Sequence, residues 1–192
     1  MSPENEDRLC QQKPIIGVSR CLMGEAVRYD GGSKPVPWIR DILSEHCDLL
    51  ALCPEVEAGL GVPRPPVRLV GSMDSPRALG VEDPALDVTE LLLKIGADKR
   101  EAIAAMDGLI LKAGSPSCGI FDTPVFDDKG METGQGGGLF SRTCRENFPG
   151  LPLIDESFLE NEAGRVGFLI QVFRYRCQRL RGQGFLFDDR TG

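Results

Sequence analysis

Three short apolar runs constrain what this chain can fold into more than any other feature. They are Pro14-Ile15-Ile16-Gly17-Val18-Ser19-Arg20, Asp48-Leu49-Leu50-Ala51-Leu52 and Gly108-Leu109-Ile110-Leu111-Lys112. Short apolar runs bounded by Gly, Pro and polar residues read as buried strands, and helical patterns between them predict a parallel sheet. In such a sheet the carboxyl ends all point one way, and ligands bind in the crevice outside them. Each run ends in a loop that carries a cysteine: Cys21, Cys53 and, in Ala113-Gly114-Ser115-Pro116-Ser117-Cys118-Gly119, Cys118. Three thiolates converging on one mouth describe a metal or cluster site that leaves one position free.

Composition bounds the rest. A chain of 192 residues fits one domain with a sizeable core. No stretch approaches the ~20 apolar residues of a membrane span, so no membrane contact is expected. Met1 to Gln12 is polar and acidic without an apolar h-region, which predicts a loose tail over 1–12 on a cytoplasmic protein. Seven cysteines without a secretion signal point to reduced thiols rather than a disulfide framework. A formal charge of −7 disfavours a broad nucleic-acid footprint, since phosphate contacts need clustered Lys and Arg, and no DNA partner is expected.

The pattern along the chain predicts a single three-layer α/β domain over 13–182 and a C-terminal tail over 183–192. A short helix is expected around Trp38 to Cys47. The proline-rich stretch from Cys53 to Arg77 reads as an irregular, functional loop wrapping the sheet mouth. Asp87-Val88-Thr89-Glu90 resembles a capping box, with Asp as N-cap and Glu at N3, and opens a helix with Gly96 as its weak point. Val125-Phe126 and Met131 flank a turn at Asp127-Asp128-Lys129-Gly130. Leu151-Pro152-Leu153-Ile154 reads as a strand that Pro152 confines to an edge. From Asp155 to about Leu180 the pattern is helical.

A lone cysteine is more often a small buried hydrophobe than a ligand, and Cys10, Cys47, Cys144 and Cys177 take that reading. Cys21, Cys53 and Cys118 differ because they share one topological place. Their spacing holds no Cys-x-x-Cys pair and the chain's one histidine is His46, which argues against structural zinc. In Cys53-Pro54-Glu55 a carboxylate follows a ligand candidate by two residues, close enough for acid–base work at a metal. Ser115 and Ser117 surround the third thiol, although loop capping is what Ser-Pro segments usually do. Arg28, Asp30, Arg64 and Arg68 add charge to the same mouth and suit a polar ring or a phosphate. Gly134-Gln135-Gly136-Gly137-Gly138 reads as a tight turn rather than an anion loop, since it lacks a Lys-Ser/Thr end. Arg165, Arg174, Arg176, Arg179 and Arg181 load the last helix. Macrodipole pairing and solvation account for them, with RNA contact a minor option.

The blocks Ser19-Arg20-Cys21-Leu22-Met23-Gly24, Val27-Arg28-Tyr29-Asp30-Gly31-Gly32, Cys53-Pro54-Glu55-Val56 with Pro63-Arg64-Pro65, and Leu111-Lys112 through Ser115-Pro116-Ser117-Cys118-Gly119 resemble the bacterial 2-thiouracil desulfidase family. The resemblance runs from about Lys13 to Leu180. It implies a Rossmann-like α/β fold and a [4Fe-4S] cluster held by Cys21, Cys53 and Cys118, with one iron not ligated by protein. It also implies Glu55 and Ser115 as catalytic residues, with Ser19, Arg28, Asp30, Arg64, Arg68 and Ser117 around the substrate. The implied activity is non-redox replacement of the sulfur of a thiolated pyrimidine by oxygen, with release of hydrosulfide. Two positions depart from the family pattern: Arg20 where a small residue usually precedes the first cysteine, and Ser33 where histidine is common. A persulfide-based sulfur transferase and a non-enzymatic iron–sulfur accessory protein stay open as alternatives.

Overall fold

The computed structural model describes residues 12–187, with side chains through residue 181. The expected N-terminal tail, with Cys10, lies outside the described residues apart from Gln12. Of the expected C-terminal tail only backbone to residue 187 is described, and the chain is still helical there.

Strands β1 (Ile15–Ser19), β2 (Asp48–Leu52), β5 (Gly108–Leu111) and β8 (Leu153–Asp155) form a four-stranded parallel sheet in the order β2-β1-β5-β8. The period-2 alternation of its residues divides the core. Ile16, Val18 and Ile110 face Ile39 and Leu43 together with Phe168 and Val172. Ile39 and Leu43 lie on a π-helical turn (Ile39–Leu43) that runs into α1 (Ser44–His46), while Phe168 and Val172 come from the long helix α6 (Glu162–Phe187). On the other face Leu109 and Leu111 meet Ile103 of α4 (Arg100–Ala104), Met106, and Phe140 and Cys144 of α5 (Leu139–Asn147). Full burial of a side chain such as Ile16 or Leu109 stabilises by roughly 1.5–3 kcal/mol, so helices on both faces clamp the sheet. The molecule is the expected three-layer α/β fold, and Pro152 precedes an edge strand as its chemistry requires.

The stretch expected to be irregular instead builds a second sheet. β3 (Val67–Gly71) and β4 (Pro76–Gly80) pair antiparallel, β3 pairs parallel with β6 (Thr123–Phe126), and β6 forms a hairpin with β7 (Glu132–Gly136). The order is β4-β3-β6-β7. Leu69, Ala78 and Val125 close over Val88 and over Leu92 of α3 (Thr89–Asp98). Helix α3 starts two residues after the expected cap. Asp87 accepts the Thr89 N–H at 3.0 Å and also pairs with Arg77 at 2.6 Å. Gly96 is not where the helix weakens. A Cβ there would lie 2.5 Å from Thr143, so glycine lets α3 and α5 approach closely, and the chain breaks at Lys99 instead.

Candidate active site

The loops after β1, β2 and β5 leave neighbouring parallel strands on one side, and that alone brings their cysteines together. Cys21 sits in a 3-10 turn (Arg20–Met23), Cys53 precedes the short helix α2 (Pro54–Glu57), and Cys118 follows the turn that leaves β5. All three are free thiols and line one cavity of ≈ 410 Å³. Ser19, Arg20, Arg28, Tyr29, Lys34, Glu55, Arg64, Lys112 and Ser115 share that lining.

Burial pushes the Cys21 thiol up to about 11, with the neighbouring Cys53 adding to the shift. Burial also raises Cys53, and it raises Cys118 strongly, with Glu55, Cys53 and Cys21 contributing. Three thiolates sharing one desolvated mouth are unfavourable without a cation, and a metal would bind by displacing their protons.

Glu55 is the best-held carboxylate at the mouth. Its Oε2 accepts the Arg64 Nε–H at 2.6 Å and its Oε1 accepts the Ser117 hydroxyl at 2.8 Å, with the Arg64 and Glu55 side chains 5% and 12% exposed. Arg64 also donates to the carbonyls of Val27 and Gly61, both at 2.9 Å. Three of its five N–H groups are therefore spent inside the protein. Arg64 orients Glu55 and ties the loop after β1 to α2, which is a positioning task beside the substrate contact expected of it. Ser117 is fully buried and reaches the site through Glu55. The Ser115 hydroxyl accepts the N–H groups of Ser117 (3.2 Å) and Cys118 (3.1 Å). It caps the loop by accepting, so its own hydrogen remains to donate into the cavity. Ser19 accepts the Lys112 N–H at 3.0 Å and lies beside Cys118.

The remaining charges divide. Arg28 lines the cavity, lies over the Tyr29 ring at 5.5 Å and pairs with Asp30 at 3.5 Å. Asp30 itself stands back from the lining, turned onto the Gly32 N–H at 2.9 Å. Arg68 is not brought to the mouth: it lies on β3 with its guanidinium 5.0 Å from the Phe126 ring. Its expected position followed from reading 53–77 as one loop, and the β3 ladder carries it to the second sheet.

The glycine-rich segment behaves as a close-approach turn. A Cβ on Gly138 would lie 2.5 Å from the Ser117 carbonyl carbon. The N–H groups of Leu139 and Phe140 donate to the carbonyls of Pro116 (2.9 Å) and Ser117 (3.0 Å), so the start of α5 is spent on the cysteine loop rather than open to an anion. Sequence reasoning passed over the pair Lys112–Glu156. Lys112 Nζ bonds Glu156 and the Ala113 carbonyl, while Glu156 also accepts the Ala113 N–H at 2.7 Å. The available signal was Lys112 closing its strand; its partner is 44 residues away. Arg20 is held by Glu25 at 2.7 Å on the cavity rim.

Comparisons with known proteins point to one family. YbbK of Bacillus subtilis (strain 168), an uncharacterized protein, is 37% identical over 112 residues, covering 55% of this chain and 73% of YbbK. The solved structure of TudS, a [4Fe-4S]-dependent thiouracil desulfidase, matches with a TM-score of 0.62 and 31% identity, over 82% of this chain and 99% of TudS. Residues 16–156, which carry all three cysteines and the cavity lining, match the 2-thiouracil desulfurase family, and the chain belongs to that family.

Proposed function

We propose that this protein is an iron–sulfur-dependent desulfidase that exchanges the sulfur of a thiolated pyrimidine for oxygen. The observation that carries the reading is the meeting of Cys21, Cys53 and Cys118 on one cavity with Glu55 and Ser115. Three thiols from three loops round one cavity suit a cluster that offers each sulfur its own iron. Cys21, Cys53 and Cys118 would hold a [4Fe-4S] cluster, which supplies a thiophilic Lewis acid at the iron without a protein ligand.

The chain's own groups do the rest. A cavity of ≈ 410 Å³ lies in the range of small-molecule sites and accepts a pyrimidine base, nucleoside or nucleotide. Glu55, fixed by Arg64 and Ser117, takes a proton from the attacking water at its oxygens. The Ser115 hydroxyl orients that water or the ring. Arg28 and Lys112 present positive charge to the wall where negative charge develops as the C–S bond breaks. Water and thiocarbonyl give carbonyl and hydrosulfide plus a proton, so no electron donor is required.

Anaerobic reconstitution should give about four irons and four sulfides per chain, as three thiolates and an open position imply. The loaded protein should convert a thiouracil with one hydrosulfide per oxygenated product, over many turnovers and without added thiol. Stoichiometric zinc without sulfide would end the cluster reading. Turnover that stalls after one cycle until dithiothreitol is added would assign a persulfide route instead.

A further inference from the structure

We propose that the outer face of α6 is a two-fold interface for a second copy of this chain, with the two helices antiparallel. The inference is independent of the chemistry proposed above, and α6 begins after the family match ends at residue 156.

The helix carries apolar residues on two opposite faces. Phe168 and Val172 point inward to the parallel sheet, and Arg176 on the same side is buried against Asp107. On the opposite side Val166, Ile170 and Phe173 are 48%, 54% and 52% exposed, and Cys177 is exposed with them. The spacing i, i+4, i+7, i+11 places all four within a sector about 60° wide on a 3.6-residue helix. This is the seam of a two-helix pairing, not the scatter of single apolar residues that every surface carries.

Charge fixes the occupant and its direction. An exposed acid, Glu162, opens the helix, and an exposed base, Arg181, lies nineteen residues on, where the register below sets one opposite the other. A second copy laid antiparallel brings the acidic start of one helix alongside the basic end of the other, and it opposes the helix dipoles. It also stacks Ile170 of one copy on Phe173 of the other, and Val166 on Cys177. One patch mating with itself is what a closed two-fold dimer needs. A parallel pairing would set like charges together. An interface built on one helix pair belongs to the small, weak class, which implies a dissociation constant of roughly micromolar order.

Sedimentation equilibrium of the full chain from about 1 to 200 µM spans that range and should show a monomer–dimer equilibrium. Ile170→Glu and Phe173→Glu should each give monomer throughout, with unchanged helical circular dichroism, since glutamate is a good helix former at a solvent-facing position. Arg181→Glu should weaken the dimer by about tenfold, and adding Glu162→Arg should restore it. A chain that stays monomeric at the highest concentration overturns the proposal. So does a dimer that survives Phe173→Glu, which would use another surface. Failure of the second charge reversal to restore affinity would overturn the antiparallel arrangement.

Discussion

Replacing Asp107 should cost this protein a large share of its stability while leaving the site chemistry intact. The carboxylate is fully buried where the chain enters β5. It accepts Arg176 at 2.7 Å, Arg179 at 2.7 Å and the Ile15 N–H at 2.9 Å. The Arg176 and Arg179 side chains are 7% and 16% exposed, so neither can turn to water without moving α6. Removing one partner of a buried ion pair costs about 3–5 kcal/mol. Asp107→Ala also orphans a backbone N–H, at about 1–3 kcal/mol, so the loss should sit in the upper half of the ion-pair range. Against a total of roughly 5–15 kcal/mol that is about a quarter or more. For a chain of this size it means a melting temperature lower by about 8–20 °C. Asp107→Asn keeps an acceptor for Ile15 and should lose less. Asp107→Leu combined with Arg176→Met and Arg179→Met should recover at least half of the loss, because no charge is stranded. Urea unfolding measures all three. Asp107 lies at the opposite end of the sheet from Cys118, so the Ala variant should still take up iron in the cold. An Asp107→Ala protein within ~1 kcal/mol of wild type would refute the reasoning, since that is what an exposed pair is worth.

Glu55→Gln keeps the shape and an oxygen for the Arg64 N–H, its NH2 donating to the Ser117 hydroxyl in place of accepting from it, but cannot take a proton. Turnover should fall by roughly 10²–10⁴-fold at full iron content, and near-normal rates would move the base to another group. Ser115→Ala should have a smaller effect, read in the same assay. Lys112→Met should lower kcat on the order of 10–100-fold, the worth of a charge-assisted hydrogen bond, with KM and iron content unchanged; a rise in KM alone would make it a substrate-binding group. Burial pushes the Cys144 thiol up to about 12 from 9.0, so the folded state holds its proton longer than the unfolded chain. That stabilising difference is complete below pH 9 and is lost as pH rises toward 12. In urea titrations of the metal-free protein, the advantage of wild type over Cys144→Ala should therefore shrink between pH 8 and 11, and a constant gap would contradict the burial argument.

Strands β1, β2 and β5 were legible because a strand buried on both faces must be apolar along its whole length, and few other structures write that pattern. Once they were placed, parallel geometry delivered the cysteines. β3 and β4 were not legible. Val67-Arg68-Leu69-Val70-Gly71 is short and interrupted by charge, and Pro76 opens a strand that survives only at a sheet edge, where a missing N–H costs nothing. Arg68 was misplaced for the same reason. The ion pairs Lys112–Glu156 and Arg176–Asp107 join residues 44 and 69 apart, and Arg64–Glu55 closes across an irregular loop, so no local pattern announces which carboxylate a given cation will meet. Nor does the sequence announce that Arg64 holds Glu55 with one N–H and the Val27 and Gly61 carbonyls with two more.

The order in which the chain leaves the ribosome has a consequence for the cysteine mouth. Cys21 and Cys53 belong to the first two strands, but the whole of β3 and β4 and the helices α3 and α4 are synthesised before β5 and Cys118 appear. At ~5–20 residues per second that interval lasts seconds. The early pair of thiols must wait through it with the central place between β1 and β8 unfilled. The contact that finally sets the third loop, Ser19 to the Lys112 N–H, spans 93 residues. Acquisition of any cofactor at this mouth is therefore a late event in the life of the polypeptide. It awaits the addition of β5, and a nascent chain stalled before β5 would offer a donor only two of its three sulfurs.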